Sequence, residues 1–299
     1  MRVFVTGATG FIGSAVVREL IEAGHQVLGL ARSDAAAAKI ASAGAEVHRG
    51  SLDDLDSLRS GAASSDGVIH LAYIHDFSDY EGTARTDQRA VQTIGAALEG
   101  SGKPFVITSG TMMLTFFLPP GRLGTEKDVA DAGSVAPRVA SENAALALAE
   151  RGVRSSVVRL SPSVHGEGRS GFVEVLISIA REKGVSGYVG DGSNRWPAVH
   201  QLDAAHLFCL ALEKAPAGSV LHGVQDEGVP TRAIAEVIGQ HLGLPVVSIS
   251  PEDAGKHFGW LGPASSTDNP TSSALTRERL RWRPVHPALI QDLEEGHYF

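Results

Sequence analysis

Three glycines at three-residue intervals, Gly7, Gly10 and Gly13, follow directly on the short apolar run Arg2-Val3-Phe4-Val5 and open an amphipathic segment that Gly24 closes. A strand that turns into a helix over so few residues brings backbone against backbone, and Gly13 lets the helix pack tightly on the strand. The turn Thr6-Gly7-Ala8-Thr9-Gly10-Phe11-Ile12-Gly13 also aims the unsatisfied N–H groups and positive dipole end of a helix starting near Phe11 at one spot. A Cβ at Gly7 or Gly10 would block the approach of a pyrophosphate to that spot. The spacing is Gly-x-x-Gly-x-x-Gly rather than Gly-x-Gly-x-x-Gly. Its context marks a dinucleotide-binding turn: a strand before it, a helix after it and a second strand about 20 residues on.

The first 160 residues repeat this alternation. Residues 3–5, 27–30, 47–48, 68–71, 105–108 and 156–160 read as strands, and residues 14–23, 35–43, 52–60, 86–99 and 139–150 as helices. Gly24, Gly44, Gly61, Gly100 and Gly152 stand just past those helices, where only glycine takes the left-handed conformation without strain. Alternating strands and helices predict an α/β fold, a doubly wound parallel Rossmann sheet covered on both faces. Beyond residue 160 the repetition loosens, and residues 219–224 read as a strand returning to the first sheet. The expected division is therefore a dinucleotide-binding domain of residues 1–162 with 195–224, and a smaller C-terminal substrate-binding subdomain of residues 163–194 with 225–299.

Several classes of function are disfavoured by composition. The formal charge of −8 is spread without acidic or basic blocks, which argues against nucleic acid or an anionic membrane as partner and leaves small-molecule chemistry. The single cysteine, Cys209, sits in an apolar run and reads as core filler. The twelve histidines show no ligand spacing, so no metal is expected. The turn begins at residue 6, leaving no room for a signal peptide, and no apolar stretch approaches 18 residues; a cytoplasmic location is expected.

The end of the second strand bears on which cofactor is bound. An NAD enzyme usually places a carboxylate there to hold the ribose 2′-hydroxyl. Here that position is Ala31, followed by Arg32 and Ser33, a guanidinium and a hydroxyl suited to a 2′-phosphate. Asp34 is expected to cap the next helix. NADP is the expected cofactor.

With the glycine turn, Gly50-Ser51-Leu52-Asp53 follows the third strand, Asp66-Gly67-Val68-Ile69-His70-Leu71-Ala72 runs along the fourth, and Val106-Ile107-Thr108-Ser109-Gly110 lies on the fifth. Together with residues 158–166 and Val199-His200-Gln201-Leu202-Asp203-Ala204-Ala205, these resemble the extended short-chain dehydrogenase/reductases, the NAD(P)-dependent epimerase/dehydratase-like family. The resemblance covers nearly the whole chain. It implies that Gly7, Thr9, Gly10, Phe11, Ile12 and Gly13 hold the cofactor's pyrophosphate side. It further implies that Leu52 contacts adenine, that Leu71 and Ala72 line the cofactor's middle, and that Thr108 and Ser109 lie near the nicotinamide ribose. The family's homodimer would form through residues 86–99 and 139–150.

One departure changes what can be inherited from that family. Its catalytic signature is Tyr-x-x-x-Lys, in which tyrosine exchanges a proton and lysine orients the cofactor. Aligned on Ser141, the chain has Arg138 in the tyrosine place and Glu142 in the lysine place. Arginine stays protonated and is a poor acid, yet it can stabilise an oxyanion. Candidates for the missing chemistry are Tyr73, His75, Asp76 and His165 for the proton, and Ser109 or Thr111 for holding a carbonyl oxygen. Arg195 or Trp196 is expected against substrate, Asp203 as the N-cap of the helix from Ala204, and His200 as a hydrogen-bonded structural histidine. The resulting expectation is an atypical NADP-dependent oxidoreductase that reduces a small carbonyl compound. Two alternatives stand beside it: an epimerase or dehydratase that keeps its cofactor bound, and a non-catalytic NADP(H) sensor.

Overall fold

The computed structural model describes residues 1–75, 79–131, 138–167 and 171–299. In chain order the elements are β1 (Arg2–Thr6), α1 (Phe11–Glu22), β2 (Gln26–Ala31), α2 (Asp34–Ser42), β3 (Glu46–Arg49), α3 (Leu55–Ala63), β4 (Gly67–His70), α4 (Tyr80–Leu98), β5 (Pro104–Gly110), α5 (Val139–Ala147), β6 (Arg154–Leu160), β7 (Ser163–His165) and α6 (Gly171–Lys183). They continue with β8 (Ser186–Val189), β9 (Arg195–His200), α7 (Gln201–Lys214), β10 (Ser219–Gly223), β11 (Asp226–Pro230), α8 (Thr231–Leu242), β12 (Val246–Ile249), α9 (Ala254–Phe258), α10 (Gly262–Ser265), α11 (Ala274–Leu280) and α12 (Leu289–Glu294).

Seven strands form one sheet in the order β10-β6-β5-β4-β1-β2-β3, every pair parallel. All strands but the edge strand β3 are buried on both faces, as their apolar residues require. One face packs α1 and α7 over Val3, Val5, Ile69, Val106 and Val158. The other packs α3, α4 and α5 over Phe4, Val68, Phe105, Ile107 and Val157. The order reverses between β1 and β4, and the crevice beyond the carboxyl ends of these two strands is where a doubly wound sheet takes its ligands.

The expected strands are all present, β10 included. Three helix expectations need correction. Gly61 lies inside α3, where a Cβ would stand 2.5 Å from the Phe4 ring, so it serves close helix-on-sheet packing. Helix α2 is capped by Ser33, whose hydroxyl accepts the Ala36 N–H at 3.2 Å, while Asp34 occupies the first helical position and pairs with Arg49 at 2.6 Å. Helix α7 starts at Gln201 with His200 as its cap, the imidazole accepting the Leu202 N–H. Asp203, inside the first turn of α7, binds the C-terminal segment instead: its carboxylate accepts the N–H groups of Val285 and His286, each at 3.0 Å, and meets His286 Nδ1.

The remaining strands make two small sheets, β11-β9-β7 and β12-β8. Strand β9, expected with the first sheet, belongs to the second, whereas α7 after it packs on α1 and the main sheet. Its Trp196 is fully buried and donates to the Ala264 carbonyl at 3.2 Å, within an apolar cluster of Val189, Phe258 and Leu261. Cys209 is buried, and burial pushes its thiol up to about 12. Among the described residues no helix is long and apolar enough to cross a membrane.

Two buried histidines are held neutral. Burial pushes the His222 imidazole down to about 4, and the Arg159 charge acts the same way. His200 is pushed down to about 4 by burial and by His165 and His286. Between pH 6.5 and 4 the unfolded chain protonates both sites and the native fold does not, so stability falls as pH drops through that window. His222→Gln is expected to lower the slope of unfolding free energy against pH by about 1 kcal/mol per pH unit. Urea melts from pH 6.5 to 4.5 measure it; a slope equal to that of the unsubstituted protein would refute the assignment.

Candidate cofactor and active site

The glycine turn closes the gap between β1 and α1 because two close approaches leave no space for side chains. Gly7 has φ +71°, and a Cβ there would stand 2.7 Å from the Ala72 backbone nitrogen. At Gly13 it would stand 1.9 Å from the Gly7 carbonyl oxygen. The protein's own backbone thus excludes a side chain at both positions. Gly10 differs: it is exposed, its φ is −74°, and a Cβ would meet only the Gly7 oxygen, at 3.3 Å. It is the N-cap of α1 without a side-chain cap, and the first turn carries no acidic residue. An open helix N-terminus with uncapped N–H groups and no competing carboxylate fits a pyrophosphate.

Around this turn Thr9, Phe11, Ile12, Leu52, Leu71 and Ala72 are half-buried. Arg32 and Ser33 are exposed past the end of β2. Thr108 donates its hydroxyl to the His70 carbonyl at 3.0 Å, tying β5 to β4.

Behind these groups lies a buried polar chain. Thr6 Oγ1 accepts the Ala72 N–H at 3.2 Å and lies 2.8 Å from His70 Nδ1, and His70 Nε2 lies 3.2 Å from Asp87 Oδ1. With its one proton given to Nδ1, the Thr6 hydroxyl leaves His70 protonated at Nε2, facing the carboxylate. Asp87 Oδ1 is also 3.6 Å from the Arg138 guanidinium. Burial pushes the Asp87 carboxyl up, but Arg138, His70 and Ser141 outweigh it and hold the carboxyl below its ordinary value. Arg138 donates to the Thr108 carbonyl at 2.5 Å, and its guanidinium carbon lies 4.3 Å above the centre of the Tyr73 ring. Its Nε has no partner among the described residues. The Tyr73 hydroxyl is 3.4 Å from Thr83 Oγ1, and the His75 ring stands edge-on to Tyr73 at 5.2 Å. Partial desolvation and the Arg138 charge both hold the His75 imidazole below 6.5, leaving it neutral at neutral pH.

The structure therefore brings Tyr73, His75, Arg138 and Thr108 together, over Asp87. Ser109 is buried on the sheet face that carries α5, its hydroxyl without a partner among the described residues. Thr111 is fully buried and committed elsewhere: it donates to Asn269 Oδ1 at 2.9 Å and accepts Asn269 Nδ2 on its carbonyl at 3.1 Å. His165 lies apart, buried on β7 with Nδ1 2.6 Å from Asp292 and its ring edge-on to His200. Arg195 is engaged by Asp268 through Nε at 3.0 Å and a terminal nitrogen at 2.8 Å. Asp76 lies outside the described residues.

Glu142 explains its own presence. It is buried and paired side-on with Arg159 of β6, at 3.1 Å from Nε and 2.6 Å from a terminal nitrogen. Arg159 also donates to the Asp128 carbonyl at 2.8 Å. None of the chain's four tyrosines has a lysine four residues later, so the signature is not displaced to another site.

Sequence reasoning did not single out Asp87 or Arg159. Each carried a signal: Asp87 continues the buried stripe Thr83, Ala90, Val91, Ile94 of α4, and Arg159 interrupts the apolar run Val157-Val158-Arg159-Leu160. His200, Asp203 and His286 bring their ligand atoms within 4.8 Å of one another, but the Asp203 carboxylate already takes three nitrogen contacts and the two rings stack in parallel at 4.6 Å.

Residues 3–222 match the NAD dependent epimerase/dehydratase family. The chain belongs to that family. It is 50% identical over its whole length to an uncharacterized protein of Schizosaccharomyces pombe, and 47% identical over 99% of both chains to one of Saccharomyces cerevisiae. A 2-alkyl-3-oxoalkanoate reductase of Stenotrophomonas maltophilia is 28% identical, covering 83% of this chain and 77% of its own. Among solved structures, the dTDP-glucose 4,6-dehydratase DesIV of Streptomyces venezuelae, with NAD bound, has the same fold: TM-score 0.79, 20% identity, 99% of this chain and 96% of that one.

The buried pair gives a test of what Glu142 does. Glu142→Ala is expected to cost about 3–5 kcal/mol, because Arg159 is left charged and uncompensated. Glu142→Ala combined with Arg159→Met is expected to recover more than half of it. Urea unfolding of the two variants checks both; a double variant as unstable as the single one would show that the pair is not the cause.

Proposed function

We propose that the chain is an NADP-dependent oxidoreductase that reduces a small carbonyl compound. The observation that carries this reading is Arg138, held between Asp87, the Thr108 carbonyl and the Tyr73 ring, at the carboxyl end of β5, where the resemblance would put the family's tyrosine. The 2-alkyl-3-oxoalkanoate reductase among the relatives supports the direction. In this reading residues 1–162 with 195–224 serve the cofactor and residues 163–194 with 225–299 the substrate.

Bound nicotinamide supplies the hydride. The protein's share is to hold the carbonyl oxygen and deliver a proton to it. Arg138 donates to the oxygen as negative charge develops there, in a place where Asp87 keeps the guanidinium oriented in advance. The Ser109 hydroxyl, on the same strand, is a second donor. Tyr73 gives the proton, with the guanidinium over its ring facing the charge left on the phenol oxygen, and His75 exchanges a proton with Tyr73 and solvent. Thr111 and His165, bound to Asn269 and Asp292, act as supports of the pocket.

For the cofactor, Arg32 takes the 2′-phosphate. The one carboxylate nearby in sequence, Asp34, is neutralised by Arg49, which brings a second guanidinium to the same end of the sheet. Ser33, although it caps α2, keeps its hydroxyl proton to donate.

Two measurements test the reading. Arg32→Ala is expected to weaken NADPH binding about tenfold, the worth of one charge-assisted contact, and to leave NADH unchanged; equal losses for both would defeat the NADP assignment. NADPH oxidation across aldehydes, ketones and enones is expected to find a substrate, and Arg138→Ala to lower its turnover about 10²–10³-fold. Absence of turnover with every compound, together with cofactor that co-purifies unconsumed, would favour the bound-cofactor isomerase or the sensor.

A further inference from the structure

A second charged cleft lies away from the cofactor turn. His206, Leu210 and Lys214, four residues apart on α7, form one wall, and Arg279, Leu280 and Arg281 at the end of α11 form the other, of an open groove of about 500 Å³. That volume is within the range of small-molecule sites. Leu210 and Leu280 are buried and give it an apolar floor. Lys214, Arg279 and Arg281 make no ion pair or side-chain hydrogen bond with any described residue. Of the nearby carboxylates, Glu19 meets His206 Nδ1 at 2.7 Å and Glu213 meets His25 Nε2 at 3.0 Å, and Glu278 is exposed beside Arg279. Glu19 stands eight residues along α1 from Phe11, about 12 Å from the end that faces the cofactor turn.

The backbone at the end of α11 is also unusual. Arg281 has φ +54°, the one positive φ among described non-glycine residues. It ends α11 in the left-handed conformation that glycine takes at Gly152 and Gly243. Cations in the last turns of α7 and α11 answer the negative helix ends, which accounts for Lys214 and Arg279. It does not account for an arginine kept at a strained position where glycine would cost nothing. Lys214, Arg279 and Arg281 line this cleft and outnumber the free carboxylate of Glu278 beside them, so an anion in it is attracted.

We propose that this cleft is a second anion-binding site, taking a small molecule that carries two or more phosphate groups, with its uncharged part over Leu210 and Leu280. Two guanidinium forks and an ammonium match the several oxygens of a diphosphate better than a single carboxylate.

Calorimetry with inorganic pyrophosphate at low ionic strength tests this on the full chain. Binding is expected, weakened about tenfold or more by Arg279→Ala and by Arg281→Gly, each removing a charge-assisted contact. Arg281→Gly relieves the backbone, so its melting temperature is expected to be equal or higher, which separates loss of binding from loss of fold. Equal affinity in the two variants and the unsubstituted chain would overturn the proposal by placing pyrophosphate elsewhere, the glycine turn included. So would absence of binding at millimolar pyrophosphate, or tighter binding of a penta-glutamate peptide, which would assign the cleft to an acidic protein segment.

Discussion

The turn after β1 touches both the strand next to it and the helix that follows, with no side chain between. Gly7 lies against the Ala72 backbone nitrogen and Gly13 against the Gly7 carbonyl. Those two contacts fix where α1 begins, and hence where its uncapped N-terminus points. They also lock the end of β4 to the end of β1, from which Tyr73 and His75 emerge. A methyl group at either glycine would separate the elements that carry the whole candidate site, because backbone cannot yield as a flexible side chain does.

Below that turn the sheet is tied together by polar groups rather than by apolar packing alone. Thr6, His70, Asp87 and Arg138 run from β1 through β4 and α4 to the start of α5. One oxygen of the Asp87 carboxylate, Oδ1, faces both His70 Nε2 and the Arg138 guanidinium, while Oδ2 has no partner among the described residues. Arg138 is thereby held rigid at the surface end of the chain, with Nε left over. One turn further along α5, Glu142 is bound by Arg159. Arg138 and Glu142 accordingly do two separate things. One puts a fixed cation at the mouth of the site, and the other builds a buried ion pair into the wall behind it.

The C-terminal part is fastened to the main sheet by specific contacts. Asp203 holds the backbone at 285–286, Trp282 donates to the Asp203 carbonyl at 3.0 Å, and Thr111 exchanges two hydrogen bonds with Asn269. The hydroxyl of Tyr298, bound to Asp292, accepts the Gly166 N–H at 2.6 Å. These buried polar contacts fix how the second sheet sits beyond β5 and β6, which is why Thr111 and His165, eligible by residue type as catalysts, are occupied as fasteners.

Local pattern made the parallel sheet, the glycine turn and the return of β10 legible, since each depends on periodicity and on the conformations glycine alone accepts. It also marked Arg138 and Glu142 as departures. Helix caps were less legible: Ser33 and Asp34 are equally good caps by type, and His200 caps α7 because Asp203 is drawn to the C-terminal segment 82 residues away. The partners that give Arg138, Glu142, Thr111 and His165 their roles are Asp87, Arg159, Asn269 and Asp292, separated from them by 17 to 158 residues. The sequence by itself determined the fold class and the turn that meets a dinucleotide, because those follow from local conformation and burial. Only the tertiary structure decided which polar side chains remain free to act, because a buried donor or acceptor is claimed by whichever partner the packing brings within 3 Å.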